Sequence, residues 1–84
     1  MKYRLIYTEK AFKDIKKLDP VSKKRLGDTL NRYKQDPLIH ARELTDPQLG
    51  TYRFRVGDLR VIFDLHGGDI VILRVGHRKS IYRG

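Results

Sequence analysis

Arg53, Arg55 and Arg60 stand at alternating positions on either side of Gly57-Asp58, within the run Tyr52-Arg53-Phe54-Arg55-Val56-Gly57-Asp58-Leu59-Arg60-Val61-Ile62-Phe63-Asp64-Leu65. Folded as a β-hairpin about that dipeptide, the run puts the three guanidinium groups on one face. Tyr52, Phe54, Val56, Leu59, Val61, Phe63 and Leu65 point the other way, toward a core. Arg55 then faces Arg60 directly, and like charges opposite each other destabilise a sheet. An anion would neutralise such a pair, and phosphate is the first candidate.

A last strand over 69–76 extends this map. With Leu65 opposite Ile70, the continuing register predicts Arg60 opposite Val75, with His77 just beyond on the arginine face. Imidazole takes up and releases protons near neutral pH. Val71, Leu73 and Ile62 fall on the same face and would offer a nucleobase an apolar wall beside the cations. Tyr82, five residues past His77, would fold over the patch. Asp64 shares the face opposite Thr51, two pairs from Arg60, and neutralises little. Each residue also has a plainer reading: solvated strand arginines, an exposed strand-end histidine, a tyrosine that anchors the tail.

The elements that must position these groups follow from periodicity. Tyr3-Arg4-Leu5-Ile6-Tyr7 alternates as a short strand. Thr8 is placed to cap a helix over 9–18, with Ala11, Phe12, Ile15 and Leu18 as its apolar stripe and Lys10, Lys13, Lys16 and Lys17 on the solvated side. Asp19-Pro20 starts a second helix running to about Gln35, with Val21, Leu26, Leu30 and Tyr33 as its stripe. Residues 38–49 are the least regular; Leu38, Ile39, Ala41 and Leu44 are available to anchor them, and Pro47 and Gly50 mark turns. The hairpin and the last strand follow. The fold class is α+β: a single domain over 1–84, in the order β-α-α-β-β-β, an antiparallel meander with a helical hairpin packed on its apolar face.

Composition narrows the function. Nineteen Lys and Arg against ten Asp and Glu leave a formal charge of +9 on 84 residues. That points to nucleic acid, an anionic surface or an acidic protein. There is no cysteine, so no disulfide or thiolate metal site. No run approaches the ~20 apolar residues of a membrane span, and no signal peptide is apparent, so a soluble cytoplasmic protein without a membrane partner is expected. His40, His66 and His77 lie on separate segments with no carboxylate at metal spacing, so neither a metal nor a cofactor is expected. The phosphate-binding and dinucleotide loops are missing, as is a Ser or Cys nucleophile with a paired base.

The opening strand with Ala11-Phe12-Lys13-Asp14-Ile15-Lys16-Lys17-Leu18, the run Tyr52 to Phe63, and the ending Val75-Gly76-His77-Arg78-Lys79-Ser80-Ile81-Tyr82 together resemble the RelE toxins of the RelE/ParE superfamily. These are the toxic halves of bacterial and archaeal toxin–antitoxin pairs. The resemblance covers nearly the whole chain. It implies a ribosome-dependent mRNA endonuclease, an mRNA interferase that inhibits translation from the ribosomal A site. In that reaction the 2′-OH attacks its own 3′ phosphate and leaves a cyclic phosphate and a 5′-OH. Carried residue by residue, it implies Arg60 and Arg78 as stabilisers of transition-state charge and Tyr82 as a base-stacking residue. Arg53 and Arg55 would clamp the backbone, with Lys79 and Arg83 as further RNA contacts.

This sequence departs from the family where the first basic pair is often lysine. Arginine, which stays protonated at any ordinary pH, is a poor proton acceptor, which leaves His77 as the proton-transfer residue. The implied partners are the ribosome and mRNA, and a cognate antitoxin with an acidic or amphipathic segment. If the antitoxin carries a DNA-binding end, the complex would act on operator DNA. Two other functions fit the same pattern: a ParE-like gyrase poison that cuts no RNA, and an inactive nucleic-acid- or antitoxin-binding module.

Overall fold

Two side-chain caps start the helices where the sequence places them. In the computed structural model, which describes residues 3–45 and 50–81, Thr8 accepts from the Ala11 amide at 3.2 Å and opens α1, Glu9–Lys16. Asp19 accepts from the Ser22 amide at 3.1 Å and opens α2, Pro20–Tyr33. Both caps satisfy amides that the first helical turn leaves unpaired. α1 stops two residues short of the expected end, because Lys17 and Leu18 bond back to Asp14 and Ile15 in tighter three-residue steps.

The strands are β1 (Arg4–Tyr7), β2 (Ala41–Glu43), β3 (Tyr52–Val56), β4 (Leu59–His66) and β5 (Asp69–His77). They form one sheet in the order β1-β5-β4-β3-β2, with β1 parallel to β5 and the other pairs antiparallel. The meander of β3, β4 and β5 is as expected. The opening strand joins it beside β5, which makes the sheet mixed. The segment expected to be irregular contributes β2, after a short 3₁₀ turn at Pro37–Ile39. Three residues are too few for alternation to reveal a strand. Their pairing, Ala41 with Phe54 and Glu43 with Tyr52, continues through a bond from the Leu44 amide to the Thr51 carbonyl.

Ala11, Leu26 and Leu30 from the helices meet Phe54, Val56, Leu59, Val61, Phe63, Ile70, Ile72 and Val75 from the sheet. Phe54 and Phe63 stack at 4.2 Å between centroids in the middle of this core. Burying each such side chain stabilises by roughly 1.5–3 kcal/mol. Two stripe residues lie elsewhere: Phe12 is 54% exposed and Val21 74%. Leu38 and Ile39 are also exposed, and Pro37 is the buried anchor of their segment.

Both hairpin turns are two residues long, with Gly57 and Gly67 at φ +59°. A glycine at positive φ in the first turn position is the type II′ pattern, which matches the twist of the strands it joins.

Candidate nucleic-acid interface

The hairpin register places the arginines as the sequence predicts. Arg53 pairs with Ile62, Arg55 with Arg60, and Val56 with Leu59. β2 adds Arg42, directly opposite Arg53. Residues paired across strands share a face, so Arg42, Arg53, Arg55 and Arg60 all belong to the face turned away from the helices. Arg42 was missed by sequence reasoning because β2 was.

Arg60 is only 5% exposed. Its Nη1 donates to the carbonyl oxygens of Gly57 and Leu59, both at 2.9 Å. Both bonds brace the hairpin turn. Arg55 is exposed and Arg53 half-buried.

Two expectations about this face are corrected. Arg60 pairs with Gly76, not Val75, and His77 pairs with Leu59. The register slips by one between Ile62 and Phe63, whose partners are Arg74 and Ile72, so Leu73 is an extra residue in β5. A one-residue slip exchanges faces. His77 therefore takes the core-side parity at the strand end, off the arginine face. The second correction concerns the apolar wall. Ile62 is fully buried although it faces outward, because Gly50 lies against it: a Cβ on Gly50 would stand 2.5 Å from Ile62 Cγ2 and 3.0 Å from Leu73 Cδ1. Thr51 holds that segment down through its amide, which donates to Asp64 Oδ1 at 2.8 Å.

α1 explains the slip. Beyond Ile72, β1 no longer covers the edge of β5. The Thr8 hydroxyl donates to the Leu73 carbonyl at 3.1 Å. Asp14 Oδ2 then accepts from the Val75 amide at 3.0 Å and from Arg74 Nε at 2.8 Å. Burial works to raise the Asp14 pKa, but the hydrogen bonds from Arg74 and Val75 and the charges of Arg74 and Lys17 outweigh it and hold the carboxyl below its ordinary value.

His77 is exposed and lines two hollows. One, of about 470 Å³, lies between α1 and the end of β5 and includes Asp14, Lys17, Arg74 and Ser80. The other, of about 250 Å³, is formed by Asp58, His77, Arg78 and Lys79. The Arg78 amide donates to the Asp58 carbonyl at 3.0 Å, which ties the C-terminal turn to the hairpin turn that Arg60 braces. Ile81 is buried against Gly76, the residue opposite Arg60. The structure thus brings His77, Arg78 and Lys79 to the arginine end of the sheet. Tyr82 and Arg83 lie outside the described residues.

Cations on the outward face of β2, β3 and β4 can bind a phosphodiester, and the exposed imidazole of His77, at the strand end but off that face, is a proton-exchanging group. The family model described as the ParE toxin of the type II toxin–antitoxin system, parDE, matches residues 5–82. The toxin–antitoxin complex RelBE2 from Mycobacterium tuberculosis is similar at 27% identity and a TM-score of 0.83, over 93% of this chain and 100% of that one. The archaeal RelE–RelB complex from Pyrococcus horikoshii is similar at 23% identity and a TM-score of 0.74, over 95% of this chain and 99% of that one. A mutant of the E. coli toxin RelE in the free state is similar at 22% identity and a TM-score of 0.79, over 99% of this chain and 93% of that one. The last two bear on the fold alone. No curated protein matches the sequence at a significant level.

Proposed function

Because this chain belongs to the ParE toxin family of type II toxin–antitoxin systems, within the RelE/ParE superfamily, we propose that it acts as a ribosome-dependent mRNA endonuclease. The observation that carries this reading is that the bond from the Arg78 amide to the Asp58 carbonyl brings exposed His77 and Arg78 to the end of the sheet where the Arg55–Arg60 pair lies, with His77 off the arginine face. In the proposed reaction the 2′ oxygen forms a bond to the adjacent phosphorus while the bond to the 5′ oxygen breaks. One proton leaves the 2′-OH and one is delivered to the 5′ oxygen. His77 is the side chain suited to either transfer. Arg78 and the Arg60 guanidinium stabilise the charge that builds on the phosphorane, where fixed cations matter most. Arg53 and Arg55 clamp the backbone, Lys79 and Arg83 extend the contact, and Tyr82 stacks on a base. Side chains fill each of these roles, so the proposal includes no metal.

The chain's partners in this reading are the ribosome with its message and an antitoxin. The described residues contain no helix long and apolar enough to cross a membrane. A protein of charge +9 favours an acidic or amphipathic antitoxin segment, with electrostatics speeding the encounter. Operator DNA would be contacted through the antitoxin, and the cytoplasm is where message and ribosomes are met.

The name of the matching family supports a second reading, a ParE-like gyrase poison that binds a protein target. Toe-printing of a translated message on purified ribosomes separates the two. New stops inside the open reading frame with wild-type protein, lost with Arg78→Ala, are the expected result. An intact message together with DNA double-strand breaks on expression would favour the gyrase reading.

A further inference from the structure

His77, Arg78, Lys79 and Ser80 are all exposed, yet Ile81 directly after them is only 7% exposed. Ile81 is not among the residues of the helix-side core. It packs on Gly76 instead: a Cβ at that glycine would stand 3.5 Å from Ile81 Cβ and 3.7 Å from Ile81 Cδ1. Gly76 pairs with Arg60 and so shares its face. The chain leaves β5 at His77, turns, and comes back against the residue just before that point. The His77 carbonyl accepts from the Ser80 and Ile81 amides at 3.0 and 2.9 Å and from the Ser80 hydroxyl at 3.3 Å. The Arg78 amide donates to the Asp58 carbonyl at 3.0 Å.

Hydrogen bonds within reach of water contribute little on their own, because water competes for the same groups. Burial of an apolar side chain is the larger contribution, and Ile81 is the one buried side chain of residues 77–81. Without it the turn would hold only through its backbone and Ser80. We propose that Ile81 is a positioning residue: docked on Gly76, it closes the turn and fixes where the side chains of His77 and Arg78 stand. Ile81 itself touches no substrate. Placement matters because a shift of about 1 Å in a reacting group can cost a factor on the order of 10² in rate. The consequence for cleavage rests on the nuclease reading above; the anchor itself rests on the burial of Ile81 and its contact with Gly76.

The test uses the full chain and two independent readouts. In Ile81→Ala the amides of Arg78, Ser80 and Ile81 should exchange with solvent about tenfold faster or more, while those of the β3–β4 hairpin keep their protection. Single-turnover cleavage on programmed ribosomes, measured where thermal melting shows the variant fully folded, should fall by about 10²-fold. Ribosome affinity should stay within about threefold, since the lost interaction acts on the chemical step. Ile81→Val, which keeps the branched apolar contact, should restore most of the rate, and Ile81→Thr, of the same shape with a hydroxyl, should not. Those two carry the test if Ile81→Ala folds poorly, and equal rates from them would overturn the proposal. Combining Ile81→Ala with Arg78→Ala should cost less than the product of the single losses, because Ile81 acts through Arg78. Ile70→Val, at the far end of β5, should leave cleavage per folded molecule unchanged.

Unchanged exchange at residues 78, 80 and 81, or a cleavage loss that only follows the unfolded fraction, would overturn the positioning role. If the wild type cleaves nothing while Ile81→Ala frees those amides, the anchor stands and the nuclease reading falls. If the wild type cleaves and folded Ile81→Ala cleaves equally fast, the nuclease reading stands and the positioning role falls.

Discussion

Asp14 Oδ2 stands 2.8 Å from Arg74 Nε and also accepts the neighbouring Val75 amide, so one carboxylate of α1 closes the free edge of β5. Its carboxyl is held below its ordinary pKa. A depressed folded-state pKa contributes stability that is present above the unfolded value and lost as pH falls through the folded one. Asp14→Ala should lower stability at neutral pH by about 2 kcal/mol, since it removes hydrogen bonds to a charged group. The gap between wild type and variant should narrow as the solution is acidified below pH ~4, where the unfolded carboxyl also takes up its proton. Chemical denaturation at a series of pH values measures it, and a gap independent of pH would refute the assignment.

Gly50 combines a φ of +150° with a site that no Cβ fits. Gly50→Ala should therefore push Ile62 or the segment itself aside and cost about 2 kcal/mol. The signature is specific. Ile62 should become accessible while the helix-side core stays closed, and hydrogen exchange at the β4 amides would report it.

Arg60 has two separable duties. Its brace across Gly57 and Leu59 predicts that Arg60→Ala loses about 1–2 kcal/mol of stability, because two carbonyl partners go unfilled. If it also faces the phosphorane, message cleavage should fall by a further 10²–10³-fold with the variant still folded. Arg60→Lys would restore the charge but not the fork. Lost stability with full cleavage would leave Arg60 a structural residue only.

The hairpin was legible because its signal is local. Gly57-Asp58 sets the turn, strict alternation sets the faces, and together they fix every β3–β4 pair from Tyr52 to Leu59. The two capped helices were legible for the same reason. The error at His77 is tertiary in origin. Nothing near Leu73 in the sequence marks a bulge; it forms where β1 runs out and Thr8 and Asp14, some sixty residues upstream, take over the backbone of β5. Arg42 was hidden because a three-residue strand has no periodicity of its own. Extending the β3 pairing backward through the Leu44–Thr51 bond would have found it.

Binding and chemistry are separable at the end of β5. His77 and Arg78 are both exposed, and the protein's interest in Arg78 is its backbone, through the bond to Asp58. Their side chains should therefore be removable at little structural cost, with melting temperatures within about a degree of wild type, as for other surface substitutions. Cleavage should respond differently to each. His77→Gln removes the proton carrier and should lower the single-turnover rate on programmed ribosomes by about 10²–10⁴-fold, with ribosome binding retained. Arg78→Ala should reduce the rate by about 10²–10³-fold by removing a cation from the developing charge. A His77→Gln variant with an unchanged rate would move the proton transfer to another group. The strand-end position of His77, off the arginine face, would then be the physical reason.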